Sequence, residues 1–234
     1  MATGAESRPP SLRLWAGEGL EVPKLLVSPF QRAVAIPPGR GQPVLVYPGY
    51  LTTDTSSLRL RRSLSAAGYR ANGWQLGRNR GARADLLDQL GDGLLAVARS
   101  SGAKVALIGW SLGGIYAREV AKRHPEHINL VMTLGSPFSG DLRANNAWRV
   151  YEWLNDHKVD RPPLEIDIAA KPPVRTLAVW SSVDGIVAPA AARGEAWESD
   201  RQIEVPIRHL SLARQRKGIE LIGQLLAEEL SSAA

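Results

Sequence analysis

The sequence predicts an α/β protein with a mostly parallel central sheet of about six or more strands, flanked by helices on both faces. Two observations carry that expectation. Short apolar runs such as Val44-Leu45-Val46-Tyr47 and Val105-Ala106-Leu107-Ile108 recur along the chain. They are long enough for a buried strand and too short for a helix. Between them lie longer stretches with helical spacing, such as Leu86, Leu87, Leu90, Leu94 and Val97.

Residues 12–35 mix apolar and polar side chains around Pro23 and Pro29, and read as short helical pieces covering one edge of the fold. Pro37-Pro38-Gly39-Arg40-Gly41 breaks the chain before the regular pattern starts. Residues 44–47 then form a first strand, closed by Pro48-Gly49, and 58–67 a helix ended by Gly68. Strands follow at 69–76, 104–109, 128–134, 174–181 and 201–205, with helices at 82–100 and 112–123. A closing helix over 212–230 presents Ile219, Leu221, Ile222, Leu225, Leu226 and Leu230 as one apolar face. Right-handed crossovers place the loops after these strands on one edge, where sites in open sheets form.

The length of 234 residues fits one domain, taken as residues 1–234, with 1–43 as a covering segment and 139–173 as an insertion. Apolar residues make up 44%, enough for a full core. No run approaches the roughly 18 apolar residues of a spanning helix. Residues 1–10 lack the apolar core of a secretory leader, so the expected location is cytoplasmic, without stable membrane insertion. The absence of cysteine excludes disulfides, thiolate metal sites and cysteine nucleophiles. No His/Asp/Glu cluster has ligand spacing, so neither metal nor organic cofactor is expected. The net charge is +6, but Arg59, Arg61, Arg62, Arg78, Arg80 and Arg83 are scattered rather than packed into a basic run. That distribution suits an ordinary enzyme surface better than a nucleic-acid or anionic-membrane partner.

Gly109-Trp110-Ser111-Leu112-Gly113, extended by Gly114, fits G-x-S-x-G. The letters alone are common, and a plain glycine-rich turn would carry them too. The context is specific: an apolar strand runs into the motif and a helix runs out of it, as a nucleophile elbow requires. There a serine occupies a strained turn, and the helix N-terminus favours developing negative charge.

Strand, Gly-Trp-Ser-Leu-Gly-Gly and helix together resemble the α/β-hydrolase superfamily, in particular its small bacterial lipase and esterase branch. The similarity runs from about Val44 to Leu230 and includes the turn Gly135-Ser136-Pro137-Phe138. It implies Ser111 as nucleophile, followed in chain order by an acid and a histidine. Of four histidines, His124 and His127 lie beyond the far end of the helix after Ser111, and His157 lies in an irregular stretch. His209, between the last strand and last helix, falls where the family's base falls. Asp184, in Asp-Gly-Ile-Val after the fifth strand, matches the family's acid; a plain Asp-Gly turn, with Glu195, Glu198 or Asp200 as the acid, is the alternative. By the same resemblance Leu112 and Tyr50 supply oxyanion N–H groups, although Tyr47-Pro48-Gly49-Tyr50 replaces the family's usual His-Gly.

The insertion lies over the site in this family and often forms a small cap. Its Trp148, Tyr151 and Trp153 either line an apolar acyl pocket or form one buried helix face. The expected activity is hydrolysis of small-molecule carboxylic esters through an acyl-enzyme. A thioesterase, amidase or acyltransferase with the same triad is the alternative, and a non-catalytic scaffold a more distant one.

Overall fold

The computed structural model describes residues 8–164 and 166–231. The leader expectation for residues 1–7 therefore lies outside the described residues. Six parallel strands form one sheet: β1 (Pro43–Tyr47), β2 (Arg70–Gly73), β3 (Val105–Trp110), β4 (Ile128–Leu134), β5 (Arg175–Trp180) and β6 (Arg201–Glu204). Their order is β2-β1-β3-β4-β5-β6. Helices α1 (Leu12–Gly19) and α2 (Val22–Val27) precede the sheet. Between and after the strands come α3 (Leu58–Ala66), α4 (Leu86–Ser101), α5 (Leu112–Arg123), α6 (Trp148–Leu154), α7 (Pro189–Arg193) and α8 (Arg216–Ser231).

Alternate strand residues face opposite sides, so both faces of these runs are buried. Val46, Ile108, Met132 and Val179 pack under α3 and α8 against Leu60, Leu64, Ile222 and Leu226. On the other face Leu45, Leu107 and Val131 meet Leu90 and Leu94 of α4 and Ala117 and Val120 of α5. This two-sided burial is why β1, β3, β4 and β5 read as continuous apolar runs, whereas the edge strands β2 and β6 are partly exposed and polar.

Three predicted boundaries shift. The second strand ends at Gly73 because the Asp54 carboxylate accepts from the N–H groups of Trp74 and Gln75, each at 3.0 Å, and Gln75 turns to φ 61°. Helix α4 starts at Leu86 rather than 82, since the Ala82 N–H donates to the Tyr151 hydroxyl. The closing helix starts at Arg216; before it Leu212 completes a 3₁₀ turn, and Ser211 and Gln215 are held by the Glu21 side chain.

The N-terminal segment holds two short helices, α1 and α2. It runs across the loop end of the sheet. The Pro10 carbonyl accepts from Asn146, Leu14 from Arg208, and Pro29 from Arg62 of α3.

The chain reverses its winding at β1, which has β2 on one side and β3 on the other. Tyr47 pairs with Gly109 in register, so the segments after β1 and β3 leave the sheet side by side. A crevice opens at such a switch point.

Ile108, in β3, is fully buried. Ile108→Ala should lower the unfolding free energy by about 2–5 kcal/mol, measured by urea denaturation, through lost burial and a cavity. A loss below about 1 kcal/mol would contradict this account of the core.

Candidate active site

Ser111 sits between β3 and α5 at φ 54°, ψ −125°, a region that costs a non-glycine residue about 1–3 kcal/mol. The turn is held by the Ser111 N–H donating to Leu134 O and the Gly114 N–H to Ser111 O, both at 2.9 Å. Close passage of α5 over β1 explains Gly113: a Cβ there would lie 2.5 Å from Tyr47 O and 2.7 Å from Pro48 O. The serine side chain does not cap α5. It lines the cleft instead.

Asp184 and His209 come together from the turns after β5 and β6. Asp184 Oδ2 and His209 Nδ1 are 2.7 Å apart, with both residues buried. Asp184 Oδ1 accepts from the N–H groups of Ile186 and Val187, each at 2.8 Å, which fixes the carboxylate plane. A carboxylate can only accept, so the imidazole proton belongs on Nδ1 and leaves Nε2 as an acceptor. The end of β4 closes over the pair at Gly135 (φ 58°), where a Cβ would lie 3.0 Å from His209 Nδ1. Burial alone pushes the imidazole down, but the charge and hydrogen bond of Asp184, with the charge of Glu18, outweigh it. Arg214 opposes them, and the net result is a pKa above the ordinary histidine value.

Trp110 links Ser111 to the histidine turn. Its indole N–H donates to His209 O at 3.1 Å, and its ring lies 5.7 Å from the imidazole centroid. The Arg214 guanidinium covers its other neighbourhood, 4.5 Å from the ring centroid.

Leu112 and Tyr50 both line the same cleft as Ser111. Leu112 opens α5, where an N–H has no acceptor within the helix. Neither residue's N–H has a main-chain acceptor among the described residues. Buried Asn79 braces the Tyr50 loop: its side chain donates to Pro48 O at 2.8 Å, and its main chain pairs with Leu51 and Thr52.

The cleft is largely apolar. Leu142, Trp148, Tyr151, Leu164, Ile166 and Ile168 from the β4–β5 connection line it, with Ile115 and Tyr116 of α5. Trp148 and Tyr151, three apart on α6, share the inward side. Trp153 does not join them as the sequence predicts: it is 81% exposed. Two residues past Tyr151 is roughly 200° round a helix, which turns its indole outward.

No protein-family model matches the chain. A pimeloyl-[acyl-carrier protein] methyl ester esterase of Citrobacter koseri is 38% identical over 72 residues, 31% of this chain. The matched stretch spans only 26% of that esterase. Among solved structures, the metagenomic carboxylesterase EstE1 superposes with a TM-score of 0.61 at 13% identity, over 91% of this chain and 97% of its own. An esterase of Pyrobaculum calidifontis gives 0.58 at 14% identity, over 95% and 93%. A thioesterase from the prodiginine pathway of Streptomyces coelicolor gives 0.55 at 15%, over 85% and 96%. The chain has the α/β-hydrolase fold.

In the α/β-hydrolase fold nucleophile, acid and histidine follow in the chain order of Ser111, Asp184 and His209. The other histidines are elsewhere. His124 and His127 stand at the far end of α5, about 18 Å along its axis from Ser111. His157 Nε2 is 2.9 Å from the Tyr151 hydroxyl. The alternative acids are engaged locally: Glu198 accepts from the Glu195 N–H, and Asp200 accepts from Thr176 and pairs with Lys171. Glu18, Asn79 and the packing of Trp110 carry no motif that would have marked them. Among the described residues no three His, Asp or Glu side chains converge as metal ligands. No helix among them is long and apolar enough to cross a membrane.

Gly113→Ala should force α5 away from the end of β1. Labelling of Ser111 by a fluorophosphonate probe is expected to slow by about 100-fold, with a loss of about 1–3 kcal/mol in denaturant unfolding. Labelling at the unchanged rate would show that the close approach does not set the turn.

Proposed function

We propose that the protein hydrolyses carboxylic esters through Ser111, His209 and Asp184, by way of an acyl-enzyme. The observation that carries this reading is the buried 2.7 Å contact of Asp184 with His209 at the loop edge that also holds the strained Ser111. Ser111 Oγ attacks the ester carbonyl while His209 Nε2 takes its proton. Asp184 holds the imidazole in the tautomer that can accept that proton and favours the imidazolium. The carbonyl oxygen becomes an oxyanion facing the N–H groups of Leu112 and Tyr50, with the α5 N-terminus adding its dipole. His209 then returns the proton to the departing alkoxide, and water, activated by the same base, releases the acid.

The apolar lining supports an apolar acyl group, with the β4–β5 connection as a cap over it and the chain as one catalytic domain. The same groups would serve a thioester, and the Streptomyces coelicolor neighbour is a thioesterase. A series of p-nitrophenyl esters run beside acyl thioesters separates the two.

Ser111→Ala should lose ester hydrolysis by about 10³-fold or more while the fold survives. In the wild type the base must be neutral, and its pKa is raised, so kcat/KM should fall as pH drops through a midpoint above the ordinary 6.5. Activity within tenfold of wild type in Ser111→Ala, or a midpoint well under 6, would sink the assignment.

Specificity has its own test in two tryptophans that the helix turns in opposite directions. Trp148→Ala should shift the preferred acyl length, since each methylene buried is worth about 0.8 kcal/mol, and leave an acetate ester nearly unchanged. Trp153→Ala should leave the length profile as in wild type. Equal profiles for both variants would remove Trp148 from the acyl pocket.

A further inference from the structure

Glu18 closes α1, a helix whose Leu12 and Trp15 side chains are exposed, yet its own side chain is only 3% exposed. Among the described residues no cation lies within ion-pairing distance of it. Three main-chain N–H groups satisfy it instead. Oε1 accepts from Gly185 at 3.0 Å and from His209 at 2.9 Å, and Oε2 accepts from Leu210 at 3.1 Å. Gly185 follows the acid Asp184, while His209 and Leu210 form the histidine turn. One carboxylate from the start of the chain therefore ties the two turns that must stay in register for the Asp184–His209 contact. A neutral acceptor would satisfy N–H groups too. A charge buried without a cation is costly to place, and three charge-assisted hydrogen bonds are what make it tolerable.

Resting on the proposed esterase reading, we propose that Glu18 is a positioning residue for His209. It locks the histidine turn to the acid turn, and its charge favours the imidazolium formed when Ser111 gives up its proton. The charged groups facing His209 are Asp184 from the β5 turn, Glu18 from α1 and Arg214 from the turn before α8. Trp110, Gly135 and Leu212, which also adjoin His209, are neutral. Removing the Glu18 charge leaves Asp184 alone against burial and Arg214, so the imidazole pKa must fall. Glu21, two residues beyond the end of α1, makes the matching control. It is also buried and holds the same turn, but through the Ser211 hydroxyl and the Gln215 amide rather than beside the imidazole.

The test is an NMR titration of the His209 imidazole in the full chain, for wild type, Glu18→Gln and Glu21→Gln, with kcat/KM against pH on a p-nitrophenyl ester. In Glu18→Gln the imidazole pKa and the acid limb should both move down by about half a unit or more. The plateau of kcat/KM should fall about 10-fold. Glu21→Gln should lower the melting temperature and leave the titration where it was. An unmoved titration in Glu18→Gln, or an equal shift in Glu21→Gln, overturns the proposal and leaves Glu18 a structural latch. If Glu18→Gln does not fold, Glu18→Asp keeps the charge at shorter reach. An imidazole titration like that of wild type with reduced kcat/KM then supports the proposal, and undiminished kcat/KM overturns it. The esterase reading fails separately, by absence of Ser111-dependent ester turnover in the wild type, because the imidazole titration needs no activity.

Discussion

The buried contact between Asp184 and His209 is the interaction around which the loop end of this protein is organised. Two titratable side chains withdrawn from water are destabilising unless every polar atom finds a partner. The surroundings meet that demand at both carboxylate oxygens, at Nδ1 and along the His209 main chain. Ile186 and Val187 saturate one carboxylate oxygen, and the imidazole takes the other. The His209 N–H goes to Glu18 and its carbonyl to Trp110. The pair thereby knits together the β5 turn, the β6 turn, the elbow and α1.

The sheet makes this convergence possible. Parallel strands deliver their carboxyl ends to one edge, and the reversal of winding at β1 opens space there for Tyr50, Ser111 and Leu112 to meet a cleft. Strain at Ser111 is tolerated because the main chain on both sides is pinned, to Leu134 on one side and within α5 on the other. The N-terminal segment then acts as a strap over the loop end, anchored to α3 by Arg62 and to the histidine turn by Glu18 and Glu21. In the proposed reaction, this means that a segment with no catalytic motif bears directly on how the base is held.

The β4–β5 connection has a different character. It contributes most of the apolar lining and is tied to the rest of the fold at many points, among them Asn146 to Gly185 and Pro10, Ala144 to Ala188, Tyr151 to Ala82, Asn155 to Tyr50, and Ala169 and Ala170 to Arg118 of α5. In the proposed reaction the polar groups beneath carry the chemistry, and this apolar wall meets the acyl group.

What the sequence by itself determined is whatever depends on neighbours along the chain. Apolar runs marked the four inner strands β1, β3, β4 and β5, helical spacing marked the helices that cover them, and Gly109 to Gly114 marked the elbow, because burial period and turn sterics are local properties. Asp184 and His209 were legible through their places after β5 and β6 together with the family resemblance. Tertiary structure alone decided the rest. Glu18 reaches His209 across 191 residues and Asn79 reaches Pro48 across 31, and a hydrogen bond between distant segments leaves no periodicity to read. Trp148, Tyr151 and Trp153 look alike on paper, but the phase of a seven-residue helix against the cleft sends Trp153 to solvent. That phase is set by what the helix packs on, a fact carried by the assembled fold and not by the order of its residues.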